Sequence, residues 1–128
     1  SNGITCIYRY AEVLLMYAEA STRATNSVNQ DALNAIQEVQ KRAGYQDRQI
    51  ELTTTTEPTA FLAAVSNERG WEFVAEMKRW FELVRLEKVK EVRAEEWDAS
   101  TFNTNHHYYF PVPYQQVDLA GWTNNAGY

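Results

Sequence analysis

Tyr8-Arg9-Tyr10-Ala11-Glu12-Val13-Leu14-Leu15-Met16-Tyr17-Ala18-Glu19-Ala20 is the stretch on which the reading of this chain turns. Ala11, Leu14, Leu15 and Ala18 recur at the i, i+3, i+4, i+7 spacing that lines one face of a helix. Val13, Met16, Tyr17 and Ala20 widen that face. Only Arg9, Glu12, Glu19 and Arg23 remain as a narrow polar stripe. The pattern predicts a helix from Tyr8 to Thr25, apolar enough that neighbours must cover most of its sides. Glu19 and Arg23 sit four apart with the acid first, the favourable order for a helical ion pair.

Working outward, Asn26 to Asn29 reads as a turn, with Asn29 an N-cap. A second helix follows over Gln30 to Ala43. Ala32, Ala35, Ile36, Val39 and Ala43 form its buried stripe, and Asn34, Glu38, Lys41 and Arg42 its wet side. Gly44 stands where a left-handed C-terminal cap is expected. The short connection makes the two helices antiparallel neighbours, and small alanines facing a bulky helix permit the close packing of a tetratricopeptide-like hairpin.

Tyr45 to Glu57 reads as a loop, since the β-branched run Thr53 to Thr56 disfavours helix. Thr56-Glu57-Pro58 then starts a third helix, with proline in its first turn. This helix carries Phe61, Leu62, Val65, Phe73 and Val74. Gly70 is expected to interrupt it, at about 1 kcal/mol relative to alanine. A further helical stretch, Lys78 to Val89, contributes Trp80, Phe81, Leu83, Val84 and Leu86; the pattern leaves open whether these are one bent helix or two. Beyond Arg93 the periodicity ends. Trp97 to Asn105 is polar and loop-like, and Tyr108 to Pro113 must be extended because each proline forces its predecessor out of helix. A short turn over Gln116 to Leu119 and a tail from Gly121 complete the chain. No linker is long enough to divide it, so residues 1–128 read as one all-α domain ending in an irregular aromatic and proline-rich segment.

Composition narrows function. The 128 residues are 45% hydrophobic and 13% aromatic, a globular balance. Twelve basic against 17 acidic residues give a net charge of −5, without the basic face that nucleic acid or an anionic membrane surface demands. The single cysteine, Cys6, allows no internal disulfide and no multi-thiolate metal site, and is expected to be a buried packing residue. No apolar run approaches the roughly 20 residues of a membrane-spanning helix. Residues 1–5 lack the basic start and apolar stretch of an export signal.

The residues with chemical potential are few. Glu68, Arg69, Glu72, Glu76, Arg79, Glu82 and Arg85 recur three, four and seven apart. Glycan hydrolysis needs two carboxylates facing across a cleft, which acids along a single helix do not show. The row is expected to fix how helices cross. His106 and His107, being adjacent in an extended segment, point to opposite faces and do not make a metal site. No nucleophile motif is present. Trp71, Trp80 and Phe81 lie in helical stripes and are expected in the core, whereas Trp97, Tyr108, Tyr109, Tyr114, Trp122 and Tyr128 lie outside helices and are candidates for exposure. No catalytic, metal or cofactor site is assigned, and no ligand-binding residue is named.

Four segments, in order, resemble the SusD/RagB-like outer-membrane nutrient-binding lipoproteins. They are the opening helix quoted above; Ala32 to Gly44, ending Arg-Ala-Gly; Glu68-Arg69, Trp71-Glu72 and Arg79-Trp80-Phe81-Glu82-Leu83-Val84-Arg85; and Tyr109-Phe110-Pro111-Val112-Pro113 with Val117-Asp118-Leu119 and the Gly127-Tyr128 ending. The chain departs from the family pattern at Gly70, where a second arginine is usual, at Met77-Lys78, where Gly-His or similar is usual, and at Ala126, often proline. The resemblance implies a non-catalytic, tetratricopeptide-like fold, a glycan or other nutrient as ligand, and a SusC-like TonB-dependent transporter as partner. It implies a lipid-anchored protein of the cell outer membrane, several times longer than this chain. The present residues would be its C-terminal region, serving mainly as scaffold. The competing expectation is a tetratricopeptide-like protein-interaction module with no link to glycans.

Overall fold

The computed structural model describes residues 7–44, 51–93 and 108–128, and among these every regular element is a helix. Contacts divide the chain into two compact units, residues 1–79 and 80–128.

In the first unit, α1 spans Tyr10–Thr25, α2 Gln30–Arg42 and α3 Pro58–Glu72. Their ends follow from local chemistry. Asn26 closes α1 in the left-handed region at φ 47°, a conformation asparagine tolerates. The Asn29 side chain accepts from the Ala32 amide at 2.8 Å, capping α2. Gly44, at φ 82°, follows α2 as expected. Glu57 caps α3 by accepting from the Thr59 and Ala60 amides at 3.0 and 2.6 Å. Those bonds, Ala60's first, hold its carboxyl below the usual range.

The core forms where α1 meets both α2 and α3. Leu15, Ala18, Ala32, Ile36 and Phe61 are completely buried, with Val39, Val65 and Phe73 nearly so. Each large apolar side chain buried this way contributes about 1.5–3 kcal/mol. The alanines are what bring α1 and α2 close. Among the described residues α2 and α3 pack on one arc of α1, and Val13, Met16 and Tyr17 are 50%, 41% and 45% exposed. Two packing partners cover one arc of a helix, and sequence periodicity does not reveal how many neighbours there are.

Gly70 does not interrupt α3, which runs through it to Glu72. A Cβ at position 70 would lie 3.1 Å from Cζ of Arg79, whose Nη1 donates to the Ser66 carbonyl oxygen at 2.8 Å. Glycine makes room for a guanidinium. The chain breaks later, at Ala75 and Met77, both non-glycine residues at positive φ (65° and 59°). A methionine held in the left-handed region at position 77 costs about 1 kcal/mol of strain.

In the second unit, α4 covers Arg79–Arg85, straddling the boundary, and α5 is a single turn, Val89–Val92. They are two helices. The Lys88 amide donates to the Leu83 carbonyl oxygen at 2.8 Å and the Glu87 amide to that of Val84 at 3.1 Å, with Glu87 at φ 57°. That is a Schellman ending. Leu83 and Val89 are buried, but Phe81 is 65% exposed, as is Trp71 in α3 at 69%, contrary to the expectation that both are core.

Tyr108 and Tyr109 lie in a turn and a bend rather than extended as expected, Phe110 to Pro113 is without regular structure, and α6, Tyr114–Ala120, begins directly after Pro113. It is longer than the expected turn and buries none of its residues. Side-chain amides hold this segment to the tail. Asn124 Oδ1 accepts from the Val112 amide at 2.8 Å, and Asn125 Nδ2 donates to the Phe110 carbonyl oxygen at 2.6 Å. The Tyr128 hydroxyl donates to the Tyr109 carbonyl oxygen at 3.1 Å.

Candidate functional site

The charged row on α3 becomes a site because α1 and α2 bring cations to it. Arg9, just before α1, and Arg42, the last residue of α2, both reach Glu72. Arg9 Nη1 donates to Glu72 Oε1 at 2.8 Å, and Arg42 Nη2 donates to its Oε2 at 2.5 Å. The start of one helix and the end of the next therefore meet at one carboxylate, as an antiparallel hairpin requires. Arg9 Nη2 adds bonds to the Glu72 carbonyl oxygen at 3.0 Å and Glu76 Oε1 at 2.7 Å. These contacts, Glu76's foremost, lift the Arg9 pKa above an ordinary arginine's, and Arg9 in turn lowers that of Glu76.

Glu12 is the second node. It is 6% exposed, and from sequence it reads as part of the narrow polar stripe of α1. Lys78 Nζ pairs with its Oε2 and also donates to the Ile7 carbonyl oxygen at 2.8 Å. Arg69 Nη2 lies 3.8 Å from its other oxygen. Between the nodes sits the buried Phe73 ring, with Arg9 Cζ 4.9 Å, Arg69 Cζ 5.5 Å and Lys78 Nζ 5.5 Å from its centroid. Three cations around one ring add about 0.5–1 kcal/mol each.

Glu68 differs from both. It is 6% exposed, and its partner is an amide: Gln40 Nε2 donates to Oε2 at 3.1 Å. Burial, opposed by that hydrogen bond, raises its carboxyl pKa. Gln40 also grips the incoming loop, donating to Thr53 Oγ1 at 3.0 Å and accepting from the Thr53 amide at 2.9 Å. A groove of about 270 Å³ opens beside the cluster, lined by Arg9, Tyr10, Leu14, Glu38, Val39 and Arg42 among others. Its lining joins the apolar Ala11, Leu14 and Val39 to charged groups of both signs.

Of the residues singled out from sequence, Glu68, Arg69, Glu72, Glu76 and Arg79 gather in the first unit. Glu82, 5% exposed, and Arg85 belong to the second. His106, His107, Trp97 and Cys6 lie outside the described residues, and no group of metal-ligating side chains occurs within them. Arg9, Glu12, Gln40, Arg42 and Lys78 were not singled out, yet they supply the partners. The available signal was Glu12 falling three residues before Leu15 and one after Ala11, on the buried arc of α1. Chemically, each carboxylate from 68 to 76 is held by a cation or an amide, an arrangement that fixes helix positions.

These helices and motifs have counterparts among known proteins. The profile of the SusD family matches residues 1–128. A SusD-like protein P25 of Formosa agariphila is 28% identical over 117 residues, covering 88% of this chain and 22% of that protein. A solved SusD homolog from Bacteroides thetaiotaomicron superposes with a TM-score of 0.77 at 29% identity, over 95% of this chain and 26% of that one. A SusD superfamily protein from Parabacteroides distasonis gives 0.78 at 29% identity, over 95% and 27%. The chain belongs to the SusD family, and its helical fold is of the tetratricopeptide-like kind seen there. It spans about a quarter of the length of those solved relatives.

Proposed function

We propose that this chain is the C-terminal region of a SusD-like lipoprotein of the outer-membrane surface, and that this protein binds a glycan or other nutrient and hands it to a SusC-like TonB-dependent transporter. It is a binding protein and not an enzyme. The observation that carries this reading is the SusD match along all 128 residues. The ion-pair cluster supports a scaffolding role for the first unit, because its acids are committed to Arg9, Arg42, Lys78 and Gln40. No helix among the described residues is long and apolar enough to cross a membrane, in keeping with attachment to a membrane by other means.

Two measurements test the proposal on outer membranes containing the protein. Co-purification with a TonB-dependent β-barrel is expected, together with retardation in native gels cast with polysaccharide. A protein that migrates with no such barrel and is slowed by no polysaccharide would overturn it.

A further inference from the structure

Thr53, in the connection that leads into α3, is gripped at three atoms. Its amide donates to Gln40 Oε1 at 2.9 Å, its carbonyl oxygen accepts from Gln37 Nε2 at 2.8 Å, and its hydroxyl oxygen accepts from Gln40 Nε2 at 3.0 Å. Gln37 and Gln40 stand three apart on α2, so both amides reach the same side of that helix. They do for one residue of an irregular segment what a neighbouring strand would do. Further on, Glu57 caps α3. Residues 51–57 therefore form a strap tied at Thr53 and at the start of α3. The grip continues inward. The Gln40 carbonyl is taken by the Thr53 amide, which leaves the amide hydrogens of Gln40 for Thr53 Oγ1 and, at 3.1 Å, for Glu68 Oε2.

Gln40 and Glu68 are each 6% exposed, and the partner of the carboxyl is this neutral amide. Arg42 of α2 and Glu72 of its own helix act on Glu68 in opposite directions, and they are paired with each other. The charges that α1 and the residue before it send to this side, Glu12 and Arg9, are paired with Lys78 and Arg69 and with Glu72 and Glu76. The strap's own acids, Glu51 and Glu57, are exposed. Burial outweighs the hydrogen bond from Gln40, and the Glu68 pKa rises above its ordinary 4.5. Lifting Thr53 takes from Gln40 two of its three bonds and lets water reach the carboxyl behind it.

We propose that Glu68, acting through Gln40, is a proton-responsive latch on residues 51–57, fastened while the carboxyl holds its proton and loosened when it ionises. Closing is favoured below pH 4.5, where Glu68 is protonated whether the strap is open or shut. The advantage is lost as pH rises through the raised value of the closed state.

Amide hydrogen exchange at Thr53 in the full chain, corrected for intrinsic rates, reads the latch, because that amide is bonded to Gln40. Opening should be at least about fivefold more frequent at about pH 8 than at about pH 4. At both values Thr53 should be less protected than Leu15 of the core. Glu68→Gln keeps an acceptor for Gln40 without a charge, and should hold Thr53 at its acid level of protection throughout. Gln37→Ala, at a half-buried side chain, removes the bond to the Thr53 carbonyl oxygen. It should raise opening about three- to tenfold and leave the pH response in place. Thr53 protection that ignores pH, or a pH response that survives Glu68→Gln, overturns the latch. Equal protection at Thr53 and Leu15 overturns it too, since the opening would then be global unfolding, and so does a Gln37→Ala protein whose strap opens no more often.

Discussion

The helical unit and the C-terminal segment solve the same problem, fixing a chain in place, with different means. In residues 7–79, α1, α2 and α3 enclose Leu15, Ile36, Phe61 and Val65 and then close the end of the bundle with Arg9, Glu72 and Arg42. In residues 108–128 the helix α6 buries nothing, and order comes from asparagine side chains bonded to backbone. Apolar burial contributes stability in proportion to area. An intramolecular hydrogen bond in water nets only about 0.5–1.5 kcal/mol. The first region should unfold cooperatively, and the second should open locally at low cost.

Three substitutions would break or sharpen that contrast. The largest effect is expected from Phe61→Ala, which empties the centre of the helical unit and should cost about 3–5 kcal/mol in denaturant unfolding. A loss under about 1 kcal/mol would show that the bundle does not depend on this core.

An intermediate effect is expected from Glu68→Gln, and it depends on pH. Burial raises the carboxyl pKa of folded Glu68 above its ordinary value of 4.5. The stability this group contributes is therefore present below that ordinary value and is lost as pH rises through the raised one. Glutamine has no charge to bury and can still accept from Gln40. The variant should be the more stable protein at neutral pH, by about 1 kcal/mol, and the difference should vanish toward pH 4. The measurement is thermal unfolding of both proteins across that range, and a constant or inverted difference would contradict the assignment.

The smallest effect is expected from Asn124→Ala. It should leave global unfolding within about 0.5 kcal/mol while speeding amide exchange at Val112 by about five- to tenfold. A large global loss would mean that the segment is more than locally held.

Much of the helical unit was legible because its signals are local. Asn29, Gly44 and Glu57-Pro58 mark helix ends through bonds spanning two to four residues, and alanine spacing marks a close hairpin. The site was legible in half. The acids of α3 were visible as a row, but Arg9 and Arg42 reach Glu72 from other elements, 63 and 30 residues away along the chain, and Lys78 reaches Glu12 of α1 across 66. Periodicity also assigned a face without saying what covers it, so Val13, Tyr17, Trp71 and Phe81 were expected indoors and stand in water. Gly70 misled in the opposite way: its effect lies in the space it leaves, which only the fold can show.

That space has a practical consequence for exchanging parts between relatives. A third helix transplanted from a family member with arginine at position 70 would bring its side chain into the notch that the Arg79 guanidinium fills. The Arg79 side chain would have to give by a few tenths of an ångström, and its bond to the Ser66 carbonyl oxygen would shift with it.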